Sequence, residues 1–210
     1  MSLPRVYPVL ESAAWVERLV SAGVRLVQLR VKDRALDEVR TEVRVARSLC
    51  ARWNAQLIVN DYWQIALDEH CDFVHLGQGD LDSADVPALR KAGVRLGVST
   101  HDDAELERAL SLSPHYIALG PIYPTLLKVM PWAPQGLARI GEWKRRIGAR
   151  PLVAIGGITV ERLDAVFAAG ADVAAVVTDI VRHANPRARA REWLAAADLR
   201  RAEIADGARS

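Results

Sequence analysis

Three times in this chain a helical pattern runs into a small residue and a glycine, and an apolar, β-branched run follows at once. Ser21-Ala22-Gly23 precedes Val24-Arg25-Leu26-Val27-Gln28-Leu29, and Lys91-Ala92-Gly93 precedes Val94-Arg95-Leu96-Gly97-Val98. Ala168-Ala169-Gly170 stands before Asp172-Val173-Ala174-Ala175-Val176-Val177. Glycine just past a helix suits the left-handed residue that ends it. A run apolar at consecutive positions suits a strand buried on both faces. A unit repeated in this way implies alternating helices and strands around a parallel sheet.

Extending the pattern along the chain predicts eight strands, at 6–10, 26–31, 56–60, 73–76, 96–99, 116–120, 152–155 and 173–177. Helical patterns follow them at 13–21, 36–53, 62–69, 83–92, 104–112, 137–147, 160–169 and 187–197. Asp102 and Thr159 stand where N-caps are expected. Eight such units in 210 residues predict the α/β class and a single (β/α)8 TIM barrel. An open doubly wound sheet does not need eight even units. The whole chain, 1–210, reads as one domain, with a polar, frayed tail from about residue 198. One connection breaks the rhythm. Between Ile122 and Gly136 the chain is proline-rich and irregular, as expected of a lid at the barrel mouth.

Composition narrows the partners. The 28 basic and 26 acidic residues leave a formal charge of +2, without the clustered basic face that a nucleic-acid footprint needs. An anionic ligand must then be held by a few local groups. No window approaches the ~18 uninterrupted apolar residues of a membrane span, and the first ten residues lack a signal-peptide core. Cys50 and Cys71 have no metal-site spacing and read as two buried thiols of a reducing cytoplasm. The oligomeric state stays open, a homodimer being one arrangement the chain allows.

In a barrel the chemistry belongs where strands run into the following loops. Strand two ends Gln28-Leu29-Arg30-Val31-Lys32, and alternation sends Gln28, Arg30 and Lys32 to one side. One amide and two cations in a row suit a clamp for phosphate or diphosphate; the alternative is a solvated outer row. Asp61 and Asp80 end neighbouring strands and are hard oxygen ligands of the kind Mg²⁺ uses beside substrate phosphates, although Asp80 could instead cap a helix. His75 lies inside its strand and reads as a hydrogen-bonded interior histidine. Ser99 says little alone, and Thr100-His101-Asp102 read as turn and cap. Thr125 and Lys128 sit in the long loop. Gly156-Gly157, before a helix start, suit a backbone nest for a second anion together with strand eight. Two anion sites suit an enzyme with two phosphorylated substrates.

These motifs, taken in order, resemble the thiamine phosphate synthase family. The resemblance spans Tyr7 to Ile180 and rests on Gln-Leu-Arg-x-Lys at 28–32, Asn-Asp at 60–61 and His-Leu-Gly-Gln-x-Asp at 75–80. Gly-Val-Ser at 97–99, Gly-Pro-Ile-Tyr-Pro-Thr at 120–125, Lys128 and Ala-Ile-Gly-Gly-Ile at 154–158 complete it. It implies condensation of 4-amino-2-methyl-5-hydroxymethylpyrimidine diphosphate with a thiazole phosphate, carboxylated or plain, and release of diphosphate. It further implies that Gln28, Arg30, Lys32 and Asn60 hold the pyrimidine diphosphate, with Mg²⁺ on Asp61 and Asp80. Ser99 and Lys128 would join Arg30 and Lys32 on the diphosphate as catalytic groups, and Thr125, Gly157, Val177 and Thr178 would bind the thiazole phosphate.

The chain departs from the family pattern at three points. Leu127 replaces a lid hydroxyl, a change expected to cost about 1–3 kcal/mol of phosphate affinity. Gly79 replaces an acidic residue and is expected to loosen its turn. Asp179 is expected to place a negative charge near the second phosphate site. These departures motivate one rival, a non-catalytic thiazole-phosphate-binding regulator. A second rival, a thiazole tautomerase, is expected to carry a histidine where this chain has Pro121. A third, a Schiff-base aldolase, would need a buried Lys32 of depressed pKa, which the neighbouring carboxylates oppose, and Arg30 beside it suits an anion clamp instead.

Overall fold

The computed structural model describes residues 3–125 and 132–207. Eight parallel strands close into a barrel in sequence order. They are β1 (Val6–Leu10), β2 (Leu26–Leu29), β3 (Gln56–Asn60), β4 (Phe73–Leu76), β5 (Arg95–Thr100), β6 (Tyr116–Leu119), β7 (Leu152–Ile155) and β8 (Val173–Val176). Closure is made by β8 on β1, with Val6 opposite Ala174 and Tyr7 opposite Ala175. The expected (β/α)8 TIM barrel is therefore the observed fold. The predicted second strand is shorter than expected, ending at Leu29 rather than Val31.

The helices are α1 (Ala13–Val20), α2 (Leu36–Arg52), α3 (Trp63–Asp68), α4 (Val86–Lys91), α5 (Asp103–Ser111), α6 (Gly136–Ile147), α7 (Leu163–Ala168), α8 (Thr178–Val181) and α9 (Pro186–Gly207). The glycines of the repeated phrase do what the pattern asked of them. Gly23, Gly93 and Gly170 have φ of 113°, 73° and 110°, left-handed conformations that cost a side-chain-bearing residue dearly. Ser12, Asp85 and Asp102 cap α1, α4 and α5 by accepting a backbone N–H. Thr159 has the extended backbone of a cap, but its hydroxyl caps no N–H. The fourth helix begins at Val86, not near Ser83, because Asp85 supplies the cap. The polar stretch after Ala197, expected as a loose end, continues α9 to Gly207.

Strand alternation divides the apolar residues into two cores. Leu26, Ile58, Phe73, Tyr116, Val153 and Val173 fill the barrel interior with Tyr7. Their neighbours, among them Val27, Val59, Val74 and Ile117, face outward and pack under the helices. Because the period is two, the next interior position on β2, β3 and β4 falls to Gln28, Asn60 and His75. These three side chains are buried, polar, and stacked directly above the apolar floor. Both cysteines are buried and free. No helix among the described residues is long and apolar enough to cross a membrane.

Candidate active site

A cavity of about 720 Å³ opens at the C-terminal end of the strands. Gln28, Arg30, Lys32, Asn60, Ser99, Thr125, Gly157, Val177 and Thr178 all line it. These residues come from six different strand ends, and only barrel closure brings them together. Lys128 and Leu127 lie outside the described residues. The Gln28–Arg30–Lys32 row keeps to one side although the strand stops at Leu29. The Arg30 N–H donates to the Leu10 carbonyl (2.7 Å) and carries the β1–β2 pairing one residue further. Gln28 is buried, whereas Arg30 and Lys32 are exposed at the mouth. Arg30's guanidinium makes no hydrogen bond or ion pair with the described residues.

Asn60 is 4 % exposed, and its Nδ2 has no hydrogen-bond partner among the described residues. A buried donor left open at a cavity wall costs on the order of 1–3 kcal/mol unless an acceptor meets it. The carboxylates stand beside this wall. The Asp61 carboxylate pairs with the Lys32 ammonium, and the Asp80 carboxylate accepts from the Gly77 N–H (2.9 Å). Asp80 thus does not cap the fourth helix, a task that falls to Asp85. Desolvation, and then the charge of Asp61, push the Asp80 carboxyl above the ordinary carboxylate range. Two like charges held together in this way are a site that a cation relieves. Among the described residues no group of three or more histidine, cysteine or acidic side chains gathers. A divalent cation on Asp61 and Asp80 would therefore take its other ligands from substrate oxygens and water.

The opposite rim is built from β7 and β8. Gly156 and Gly157 have φ of 99° and 63°. A Cβ on Gly157 would lie 2.5 Å from the Pro124 carbonyl oxygen, and one on Gly156 2.6 Å from Pro121 Cα. Glycine is required here because the loop after β7 lies directly on the loop after β6. The Arg162 guanidinium donates to the Gly157 carbonyl and lies 4.3 Å over the Tyr123 ring, holding the two loops in place.

Two expectations from the sequence are corrected here. Asp179 does not put a charge into the cavity. Its oxygens accept from Arg189 Nε (2.9 Å), Arg189 Nη2 (3.0 Å) and Trp193 Nε1 (2.6 Å), so its charge is neutralised beneath α9. Thr100, read as part of a turn, is a fully buried strand residue. Its hydroxyl donates to the Ala118 carbonyl and accepts from Trp143 Nε1. Gly79 has ordinary right-handed helical angles, and a Cβ there would meet nothing within 4 Å. Its turn makes no demand for glycine.

His75 is the hydrogen-bonded interior histidine that the pattern implied, and burial pushes its pKa down to about 4. Its partners, Ser99 and Tyr116, were not legible as partners in the sequence. Nor was the stacking of His101 on Trp132, with ring centroids 3.8 Å apart at the mouth. A parity count along β1 and β6 would have put Tyr7 and Tyr116 inside the barrel, but not in contact.

The fold and this mouth define a (β/α)8 barrel with cations, a carboxylate pair and a glycine-built rim around one cavity. The chain belongs to the thiamine monophosphate synthase family, whose family model matches residues 6–180. It is similar to a thiamine-phosphate synthase of Rhizobium etli, 59% identical over 196 residues, covering 93% of this chain and 96% of the relative. A thiamine-phosphate synthase of Salmonella dublin is 50% identical over 189 residues, covering 90% of each. The structure of a thiamine phosphate pyrophosphorylase from Pyrococcus furiosus shares the fold, with a TM-score of 0.81 at 22% identity. That match covers 93% of this chain and 96% of the other.

Proposed function

We propose that this chain is a transferase that joins the pyrimidine diphosphate to a thiazole phosphate, yielding thiamine phosphate and diphosphate. The observation that carries the proposal is the 59% identity to a thiamine-phosphate synthase along nearly the whole of both chains. The cavity supports it physically. Cations stand on one wall and a backbone rim on the other, so two anionic ligands can lie across the mouth without sharing a counter-charge.

The chemistry asked of the protein is charge stabilisation. The bond between the pyrimidine methylene carbon and the diphosphate oxygen breaks, and its electron pair leaves on the diphosphate. The thiazole nitrogen then closes on the methylene carbon with its own lone pair. Arg30 and Lys32 meet the departing charge, and Ser99 and Lys128 join them. No protein nucleophile is needed. Asn60 Nδ2 supplies the open donor in the wall, and Gln28 marks the depth at which the heterocycle sits. On the far rim Thr125, Gly157, Val177 and Thr178 hold the thiazole phosphate.

The carboxylate pair fits Mg²⁺, because hard oxygen donors of like charge stand together beside the cationic wall. Asp61 and Asp80 would hold it, and when bound it neutralises charge on the diphosphate. Without a cation Lys32 is the counter-charge of Asp61. The deciding experiment is diphosphate release by purified protein supplied with both substrates. Release that requires both substrates and stops on chelation is expected. Release without the thiazole phosphate, or none at all, would overturn the reading.

A further inference from the structure

At the cavity floor, five side chains from five strands form one unbroken hydrogen-bonded chain across the barrel. Gln28 Nε2 donates to the Tyr7 hydroxyl at 2.8 Å. The Tyr7 and Tyr116 hydroxyls meet at 3.0 Å. The Tyr116 hydroxyl lies 2.7 Å from His75 Nδ1, and His75 Nε2 lies 2.8 Å from Ser99 Oγ. Gln28 and Ser99 at the two ends line the cavity, and Tyr7 and His75 reach its floor. Tyr116 in the middle is wholly enclosed. Gly97 makes this possible, since a Cβ there would stand 2.1 Å from the Tyr116 ring.

Counting protons gives the chain a direction. A tyrosine hydroxyl has one proton to donate, and a neutral imidazole has one N–H. Four links need four protons. The Gln28 amide supplies the first, Tyr7 the second to Tyr116, Tyr116 the third to His75 Nδ1, and His75 the fourth through Nε2–H to Ser99. With Gln28 donating, the opposite direction would leave the Tyr7 O–H, buried at 1% exposure, with no acceptor in the chain. In the direction that uses every tyrosine proton, Ser99 accepts a hydrogen bond from His75, and its own O–H is left to donate into the cavity. Gln28 is left with its carbonyl oxygen, which bonds to none of the described residues.

We infer that Tyr7, Tyr116 and His75 are positioning residues: their chain holds Ser99 as a donor to diphosphate oxygens and Gln28 as an acceptor from the heterocycle. The inference rests on the proposed reaction for its ligands and on the hydrogen-bond geometry for its direction. The direction matters because diphosphate oxygens only accept. A Ser99 whose proton is spent on His75 would face them with a lone pair.

Two measurements test it. The first is the ¹⁵N spectrum of the His75 ring in the protein without substrate, assigned with His75→Asn. The Nε2–H tautomer is expected; the Nδ1–H tautomer would overturn the direction. This readout is independent of turnover, so it still decides if the proposed reaction proves wrong.

The second measurement is steady-state kinetics of Tyr116→Phe and Tyr7→Phe, each alone and in a Ser99→Ala background. Each single variant is expected to lower kcat/KM for the pyrimidine diphosphate by about tenfold, the worth of a hydrogen bond to a charged group. The KM for thiazole phosphate is expected to stay unchanged. In the Ser99→Ala background Tyr116→Phe should cost nothing more, and Tyr7→Phe only the part of its loss that runs through Gln28. An undiminished loss in that background would show that the tyrosines do not act through Ser99, and would overturn the inference.

Discussion

At Asp80 the fold accepts a cost that a charge-free side chain would not carry. Its carboxyl is pushed above the ordinary range, so the native state binds that proton more tightly than the unfolded chain does. The linked stability is present at low pH and is lost as pH rises through the folded-state pKa. Asp80→Asn keeps an oxygen for the Gly77 N–H and removes the charge beside Asp61. Its melting temperature at neutral pH is expected to equal or exceed that of wild type, the gap closing in acid, while Mg²⁺-dependent diphosphate release is lost. A destabilised Asp80→Asn in calorimetry would mean that the carboxylate is held by something other than a cation. His75 has the opposite sign. Its folded pKa of about 4 lies below the ordinary 6.5, so stability is whole above 6.5 and falls as pH drops toward 4. Urea titrations at stepped pH are expected to show this slope in wild type and a flatter profile in His75→Gln.

Between elements, the contact that places the far rim is a cluster rather than a strand end. Asp179 on α8 is tied to Arg189 and Trp193 on α9, and Arg189 also reaches Glu161. The Asp179 and Arg189 side chains are 15% and 13% exposed, so the pair is poorly screened. Arg189→Ala leaves a mostly buried carboxylate without its cation and is expected to cost about 3 kcal/mol in urea unfolding. It should also weaken thiazole phosphate binding, because Thr178 begins the helix that Asp179 anchors. Calorimetric titration with thiazole phosphate would detect the loss, and unchanged affinity would detach the cluster from the rim. On β5, Gly97→Ala is expected to cost roughly 1–3 kcal/mol, since the added methyl overlaps the Tyr116 ring. Denaturant unfolding measures that directly.

For the whole molecule, the barrel is complete without the carboxylate pair. Its two cores, inside the strands and beneath the helices, hold apolar side chains far from Asp61 and Asp80 in role. A chelator is therefore expected to stop diphosphate release while leaving the circular dichroism spectrum at room temperature unchanged. Unfolding on chelation would make the metal structural.

What the sequence by itself determined was whatever depends on neighbours along the chain. The three small-residue–Gly phrases had to end helices, because their glycines take left-handed angles. The apolar runs after them had to be strands, and eight such units had to close a barrel. Period two was enough to turn Gln28, Asn60 and His75 inward, and motif order was enough to assign the family. Tertiary structure decided what depends on distance between strands. It set Asp179 under Arg189 instead of in the cavity, and ran Tyr7, Tyr116 and His75 into one chain between Gln28 and Ser99. Those contacts join residues up to 109 positions apart. No local pattern records such pairings, because strand register and barrel closure set which interior side chains meet.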